Sequence, residues 1–425
     1  MTEYVNAQRL RDDFERLASF GLHSDGSVDR PAYSANDVAA RQWFADRARE
    51  AGLAAHTDAL LNVVVGDDAN TPAVWTGSHL DTVPRGGKFD GALGAIAALE
   101  CVRRLHELDL PLTRPVRAVA FADEEGSYHG FLGSKSFVRG IAPVTDDGLT
   151  ALAESRGPDD RTLHEAVAAA GGDLGRATTN GIPRESLHSF VELHIEQGPN
   201  LEATATDIGI VSHIVGVGRL TVRFDGRPDH AGTTPMYMRR DALLGAAAFI
   251  DRLPQIPADI GVPEAVVTCG QIEALPGASN VVPGSALVHL DYRATSMETL
   301  TALSEAATRA ANATAARHGL LVTCDHESVT PPYEMDARVS DTIRHSAKAL
   351  SLSVVDMASG AGHDSQVIAD VAPTGMIFVP SHNGRSHSRL EHTSWEDVTN
   401  GANVLLNALI GLAQPDGAGL TSLDE

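Results

Sequence analysis

The chain has few cysteines and no long apolar stretch. Its three cysteines, Cys101, Cys269 and Cys324, are widely spaced, so the sequence predicts neither a disulfide framework nor a zinc-thiolate site. No run of about 18 apolar residues is present that could span a bilayer. The first residues also lack a basic segment followed by an apolar one. We therefore expect a cytoplasmic protein without membrane contact.

Basic residues are also scarce. Lysine and arginine total 33 against 56 aspartate and glutamate residues, which gives a formal net charge of -23. Such an excess of negative charge repels polyphosphate, so nucleic acid is not an expected partner. At 425 residues the chain exceeds the usual size of a single core, and at least two domains are expected.

Hydrophobic periodicity predicts a layered α/β domain interrupted by a second domain. Strands are predicted over residues 73–75, 117–122 and 375–379, and helices over 36–51, 93–105, 339–350 and 394–412. Between these halves, strands at 214–224, 265–272 and 285–292 and helices at 240–253 and 300–318 indicate an inserted α+β domain. We predict a catalytic domain over 1–211 and 329–425, with the insertion over 212–328.

The first group of candidate metal ligands follows the strand at 73–75. It contains His79, Asp81 and Asp90, and Asp90 lies in a glycine-bounded turn. Imidazole and carboxylate groups bind zinc and related ions, and a second carboxylate commonly orients a ligating histidine. The two oxygens of Asp90 could bridge two ions. The alternative is that His79 is a hydrogen-bonded loop histidine.

An acidic pair, Glu124 and Glu125, directly follows the apolar strand at 117–122. Open α/β sheets usually bind ligands at the carboxyl ends of their strands. Two adjacent carboxylates in one crevice need compensation, which a metal ion would provide. One would then be a ligand and the other a general base. The alternative is a pair of solvated acids.

Two further histidines complete the set of candidate ligands. His194 lies in a short strand where alternation places it on one side with Glu192 and Glu196, and His387 follows the strand at 375–379. Each histidine alone is more often a satisfied polar residue than a ligand. Sequence spacing leaves open whether the four groups meet.

Together these residues resemble the amidase family that includes N-carbamoyl-L-amino acid hydrolases, allantoate amidohydrolases and β-ureidopropionases, within the dinuclear-zinc exopeptidase clan. The matching motifs occur in order over nearly the whole chain: Gly77-Ser78-His79-Leu80-Asp81-Thr82-Val83, Gly86-Gly87-Lys88-Phe89-Asp90-Gly91, Glu124-Glu125-Gly126-Ser127, Leu193-His194-Ile195-Glu196-Gln197-Gly198-Pro199, His230-Ala231-Gly232-Thr233-Thr234-Pro235-Met236 and Ser386-His387-Ser388.

The resemblance implies a three-layer, zinc-exopeptidase-like catalytic domain that binds two divalent ions. Zinc is the expected ion, and manganese, cobalt and nickel are alternatives. One ion would be held by His79, Asp90 and His194, and the other by Asp90, Glu125 and His387. Asp81 would orient His79, and Glu124 would be the general base toward a metal-bridging water. The resemblance also implies a cis peptide bond after Asp90.

For the inserted domain, the resemblance implies a ferredoxin-like lid that also forms a homodimer. His230 would reach the partner's site and stabilise the oxyanion. The residues that match substrate-binding positions are Gln197, His230, Asn280, Arg293 and Gly360. Relatives commonly continue Glu-Glu-Gly-Ser with Arg-Phe, where this chain has Tyr128-His129, so the wall beside the metals is expected to differ.

The predicted activity is metal-dependent hydrolysis of a linear amide bond in an N-carbamoyl-L-amino acid or a ureido acid such as allantoate. An aminoacylase or exopeptidase is the second prediction, because related sites use the same metals. A catalytically silent binding protein is a third interpretation. The presence of Glu124 argues against the third, because a silent protein needs no base beside a complete ligand set.

Overall fold

The computed structural model describes residues 2–67, 71–139, 146–178 and 181–415. It divides into two compact units, Met1–Ser212 with Glu334–Glu425, and His213–Tyr333. Within the described ranges, no helix is both long and apolar enough to span a membrane.

The helices are, in chain order, α1 (Ala7–Ala18), α2 (Ala35–Glu50), α3 (Ala92–Leu108), α4 (Leu132–Arg139), α5 (Asp146–Ala153), α6 (Leu163–Ala169), α7 (Asn200–Thr204), α8 (Ala242–Arg252), α9 (Ile256–Asp259), α10 (Met297–His318), α11 (Ala337–Ala349), α12 (Asp364–Ala369) and α13 (Trp395–Ala413). The strands are β1 (Ala55–Thr57), β2 (Val63–Val65), β3 (Ala73–His79), β4 (Val116–Phe121), β5 (Leu187–Ile195), β6 (Ile208–Ile214), β7 (Gly216–Asp225), β8 (Asp229–His230), β9 (Val266–Leu275), β10 (Val281–Val282), β11 (Ser285–Ala294), β12 (Leu321–Thr330), β13 (Tyr333–Glu334), β14 (Val354–Ser359) and β15 (Thr374–Val379).

The main sheet has nine strands in the order β1-β2-β4-β3-β5-β15-β6-β13, with β14 also paired to β6. The four central strands, β4, β3, β5 and β15, are parallel, while β2 and β6 flank them in antiparallel pairing. The carboxyl ends of the parallel strands therefore lie along one edge of the sheet, which is where such sheets commonly bind ligands.

Alternating side chains of the central strands bury two separate apolar cores. On β3, Val74 belongs to one core and Trp75 to the other, and on β5 Leu193 and Phe190 divide in the same way. The first core is completed by α1, α2, α3, α11 and α13, and the second by α4 and α12. Since a strand turns successive side chains to opposite faces, helices cover both faces. The predicted three-layer α/β arrangement is confirmed.

The second unit contains a four-stranded antiparallel sheet in the order β12-β7-β11-β9. Helices α8 and α10 pack on it, and its core includes Phe224, Phe249, Val288 and Leu303. The succession β7, α8, β9, β11, α10, β12 with this strand order is that of a ferredoxin-like fold. The sequence predicted the first five of these elements and missed β12, whose side chains are mostly exposed.

Helix α3 approaches the sheet closely at Gly94. A Cβ atom there would lie 2.1 Å from the carbonyl oxygen of Leu193 on β5 and 2.8 Å from Cβ of Ser78 on β3. The glycine thus allows α3 to pack against the two strands that carry His79 and His194. Neither contact can be relieved by rotating a flexible side chain.

We expect Gly94→Ala to lower the free energy of unfolding by about 2 kcal/mol, because an added methyl in a close-packed interface displaces backbone. Urea denaturation followed by circular dichroism measures the change. Gly411→Ala in α13 is the control, since its nearest neighbour is a Thr342 methyl at 3.0 Å, which can shift. Equal losses in both variants would contradict the close-packing argument.

Candidate metal centre and active site

Four chain segments bring candidate metal ligands to the carboxyl edge of the parallel strands. His79 is the last residue of β3, His194 is the last but one of β5, and Glu124 and Glu125 follow β4. The loop after β15 contributes His387. Donor atoms of His79, Asp90 and His194 lie within 4.8 Å of one another, and so do those of Asp90, Glu125 and His387.

Asp90 belongs to both groups, and each of its oxygens faces a different one. Its Oδ1 lies 3.6 Å from Nε2 of His79 and 3.2 Å from Nε2 of His194. Its Oδ2 lies 3.2 Å from Nε2 of His387, which is itself 3.4 Å from Oε2 of Glu125. A carboxylate with ligand sets on both sides is suited to bridge two cations.

The hydrogen bonds of the two buried histidines fit metal binding. Nδ1 of His79 lies 3.0 Å from the carbonyl oxygen of Asp81, and Nδ1 of His194 lies 2.9 Å from that of Ile195. A carbonyl only accepts, so each Nδ1 carries hydrogen and donates it, and in the neutral ring Nε2 has the lone pair. Metal-binding histidines are commonly held in this way. Both Nε2 atoms face Asp90, and that of His194 also accepts a hydrogen bond from the Gly91 amide at 3.2 Å. Their lone pairs are available to a cation beside Asp90.

Asp81 is arranged differently from the expectation that its carboxylate orients His79. The contact to His79 is made by the main-chain carbonyl, and the nearest carboxylate oxygen lies 4.0 Å from Nδ1. The carboxylate instead accepts hydrogen bonds from the amides of Glu124, at 3.4 Å, and Glu125, at 3.2 Å. Asp81 therefore connects the segment after β3, through hydrogen bonds, to the acidic pair that follows β4.

The backbone after Asp90 also differs from the expectation. Among the described residues, the cis peptide bond is Leu275–Pro276, and the Asp90–Gly91 bond is not cis. Gly91 has φ of 63°, and an added Cβ would lie 2.3 Å from the His79 ring. A glycine at this position lets the turn pass close to the imidazole.

The charges at the centre shift the pKa values of its groups. Burial favours a raised pKa for Asp90, but its contacts with His194, His387 and His79 outweigh burial and hold the pKa well below its usual range. Burial and the charge of Asp90 raise the pKa of Glu125 to about 7. The contact with Asp90 raises the pKa of His387 to about 9. The cluster therefore attracts positive charge.

Glu124 is buried beside the cluster, and its Oε2 lies 3.6 Å from Nε2 of His79. Burial raises the pKa of its carboxyl well above the usual value. The charge that His79 carries when it is protonated opposes this shift, and the negative charge of Glu125 adds to it. A buried carboxyl group with a raised pKa accepts a proton more readily than an exposed one, as a general base requires.

Gln197 is the predicted substrate-binding residue that directly contacts the ligand cluster. Its Nε2 donates to Oδ2 of Asp90 at 2.8 Å, and its buried Oε1 has no hydrogen-bond partner among the residues that the structure describes. Gly360 lies in the turn after β14, close to His363, whose ring packs against His194 with 4.5 Å between centroids. Gln197 therefore offers a buried acceptor beside the candidate metal ligands.

The remaining predicted residues lie in the second unit. Pairing of β8 with β10 places His230 opposite Val281, and the amide of Ala231 donates to the carbonyl of Asn280 at 3.0 Å. His230 and Asn280 are thus neighbours. Arg293, near the end of β11, makes an ion pair with Asp291 at 2.8 Å.

Two further buried acidic groups, Glu192 and Glu391, lie around the cluster. Glu192 accepts hydrogen bonds from the hydroxyls of Ser78, at 2.7 Å, and Ser365, at 2.6 Å, so it is satisfied without a metal. Glu391 accepts from the amides of Phe89 and Asp90. Alternation on β5 placed Glu192 beside His194, whereas no local pattern indicated Glu391.

A model of peptidase family M20/M25/M40 matches residues 75–410. The chain belongs to this family. This M20 family member is 36% identical over 413 residues to the N-carbamoyl-L-amino-acid amidohydrolase of Paenarthrobacter aurescens, covering 96% of this chain and 98% of that protein. It is 34% identical over 412 residues to the allantoate amidohydrolase of Escherichia coli (strain K12), covering 96% and 98%.

A solved structure is also similar over almost the whole chain. The crystal structure of an amidase of the hydantoinase/carbamoylase family from Burkholderia multivorans matches with a TM-score of 0.86 and 33% identity, over 97% of this chain and 99% of that one. The resemblance inferred from the sequence motifs is thereby confirmed.

We expect Asp90→Asn to weaken zinc binding at least about 100-fold, more than the loss of an outer contact costs. An asparagine amide offers one oxygen and so cannot face both ligand groups as an acceptor. Competition with a chromophoric chelator measures the affinity. Asp336→Asn is the control, because Asp336 accepts the Val339 amide at the start of α11 and asparagine can do the same. Unchanged affinity in Asp90→Asn would contradict a shared role for this carboxylate.

Proposed function

We propose that the chain is a metal-dependent amidohydrolase that cleaves a linear carbon–nitrogen bond in an N-carbamoyl-L-amino acid or a ureido acid such as allantoate. The arrangement of Asp90 between two ligand groups is the observation that carries this proposal. The named relatives match along 96% of this chain, and their names describe the hydrolysis of substrates of this class.

Two divalent ions per subunit are proposed, with His79, Asp90 and His194 on one and Asp90, Glu125 and His387 on the other. Imidazole nitrogen and carboxylate oxygen suit zinc, and manganese, cobalt and nickel accept them too. Within the described part of the chain, the buried Oε1 of Glu125 has no hydrogen-bond partner, which fits a ligand atom. When bound, such ions polarise a substrate carbonyl and lower the pKa of water.

Glu124 is the proposed general base. Its main-chain amide donates a hydrogen bond to the Asp81 carboxylate, and its own carboxylate lies beside the ligand cluster in a site of low solvent exposure. The carboxylate takes the proton from the water that attacks the carbonyl carbon. It then delivers that proton to the departing nitrogen, so that the amine or ammonia leaves in neutral form.

The His213–Tyr333 unit is proposed to be a lid and dimerisation domain, in which His230 stabilises the oxyanion in the partner subunit's site. Nδ1 of His230 accepts hydrogen bonds from the amides of Gly232, at 3.0 Å, and Thr233, at 3.2 Å. A neutral His230 therefore carries its hydrogen on Nε2, where it can donate to developing negative charge. His230 is exposed and so is accessible for this role.

Exposed apolar side chains on the same unit support the homodimer. Met236 is 70% exposed, Tyr237 88% and Leu244 51%. Large apolar groups of this kind often mark protein interaction sites. Asn280 and Arg293 are proposed to bind the substrate from this unit, with the forked guanidinium of Arg293 suited to a carboxylate. We propose the cytoplasm as the location, since all three cysteines are free thiols.

An aminoacylase or exopeptidase is the second candidate. The matching family is one of peptidases, and the same ligand groups would serve the hydrolysis of an acyl-amino acid or a peptide. Ammonia release distinguishes the candidates for ureido substrates.

The first test measures ammonia release by zinc-reconstituted protein on N-carbamoyl-L-amino acids, N-carbamoyl-β-alanine, allantoate and ureidoglycolate. We expect turnover of one of these compounds and a loss of at least about 100-fold in Glu124→Gln, which retains the side-chain size but cannot accept the proton. Zinc affinity should change little in this variant. If the zinc-bound wild-type protein releases no ammonia from any of the four compounds, acyl-amino acids or peptides become the favoured substrates.

The second test concerns the subunit that supplies His230. A hybrid dimer is purified through two tags, with one subunit carrying Glu124→Gln and the other His230→Ala. If His230 acts across the dimer, one site is intact and the hybrid has about half of wild-type activity. If His230 acts within its own subunit, neither site of the hybrid is complete and the hybrid is inactive. If His230 does not act at all, the His230→Ala homodimer is fully active.

A further inference from the structure

A buried carboxylate lies behind Asp90 and joins two distant parts of the chain. Glu391 is in the loop between β15 and α13 and is 5% exposed. Its Oε1 accepts hydrogen bonds from the main-chain amides of Phe89, at 2.6 Å, and Asp90, at 3.0 Å. Its Oε2 lies 3.0 Å from the hydroxyl of Ser386. One side chain thus holds the backbone of Asp90 and the residue that precedes His387.

The Ser386 hydroxyl extends this connection to the side chain of Asp90. It lies 2.8 Å from Oδ2 of Asp90, as well as 3.0 Å from Glu391. A hydroxyl has one hydrogen, so it donates to one of the two carboxylates at a time. Glu391 and Ser386 therefore determine where the backbone of Asp90 lies and where its Oδ2 points.

The glycine turn before Asp90 is built around Glu391. A Cβ atom on Gly87 would lie 2.2 Å from Oε1 and 2.3 Å from Cδ of Glu391. Only a residue without a side chain allows the backbone to approach the carboxyl group so closely. The turn and the carboxylate fit each other, which is a second indication that this contact defines the position of Asp90.

Burying Glu391 next to Asp90 places two negative charges close together in a site of low solvent exposure. Such an arrangement costs free energy unless both groups are well hydrogen-bonded. A glutamine would satisfy much of the same geometry without the charge. The hydrogen bonds of Glu391 with the Phe89 and Asp90 amides and with Ser386 offset this cost, and they hold Asp90 between its two ligand groups.

We propose that Glu391 is a positioning residue for the metal centre. It holds Asp90 between His79 and His194 on one side and His387 on the other, and thereby sets the affinity for divalent ions. Glu391 does not itself belong to either ligand group. This inference rests on the proposed metal-binding function and adds a residue whose role is to place the shared carboxylate.

The test is zinc affinity of the full chain, measured by competition with a chromophoric chelator, for Glu391→Asp and Glu391→Gln. The shorter aspartate cannot reach both the amides and Ser386, and we expect affinity to fall about 10–100-fold. Glutamine keeps one acceptor oxygen at the right length, so a smaller loss of about threefold to tenfold is expected. Circular dichroism establishes which variants are folded.

Glu196→Gln is the matched control. Glu196 is also a buried carboxylate that accepts two main-chain amides, those of Asn200 and Leu201, but it belongs to neither ligand group. Its replacement should leave zinc affinity unchanged even if stability falls. A comparable loss of affinity in this control would overturn the inference, because the effect would then be general to buried carboxylates.

The outcomes separate the inference from the function on which it rests. Wild-type protein that binds no divalent ion would remove the proposed metal centre itself. Wild-type binding with unchanged affinity in Glu391→Gln would overturn the positioning role, whether or not Glu391→Asp folds. The expected order of affinity, wild type above Gln above Asp, with the Glu196→Gln control at the wild-type value, would support it.

Discussion

The carboxylate of Asp90 is the group on which the arrangement of the site depends. It is buried, and its Oδ1 lies close to Nε2 of His79 and His194 while its Oδ2 lies close to Nε2 of His387. Two histidines present Nε2 to one oxygen because their Nδ1 atoms are fixed to main-chain carbonyls. Buried polar and charged groups are stable only when hydrogen bonds or opposite charges compensate them. The fold therefore has to hold these groups in fixed positions relative to one another.

The parallel strands meet this requirement by bringing distant segments to one edge. His79 and His194 are 115 positions apart in number, yet β3 and β5 are adjacent, and β15 next to β5 leads to His387. Close packing of α3 at Gly94 keeps the two histidine strands in place. Rigid elements thus position the ligands, and the loops carry the remaining groups, as is common at the carboxyl edge of an α/β sheet.

Main-chain amides stabilise the acidic groups around the centre. Asp81 accepts the amides of Glu124 and Glu125, and Glu391 accepts those of Phe89 and Asp90. In both cases one carboxylate orients the backbone of another acidic residue. A buried polar network of this kind is stable only when its members are satisfied, and it then defines a single geometry. Such a geometry is what catalysis by a positioned base requires.

The sequence by itself determined which segments carry the candidate metal ligands, because most of these residues follow a local apolar run and periodicity depends only on near neighbours. His79, Glu124, Glu125, His194 and His387 were placed at strand ends in this way, and the fold class followed from the same pattern. Local patterns gave no sign of Glu391, which is 301 positions from Asp90, nor that the carbonyl of Asp81 makes the contact to His79. Only the tertiary structure decided these contacts, since they depend on the order of strands in the sheet, which no local pattern contains.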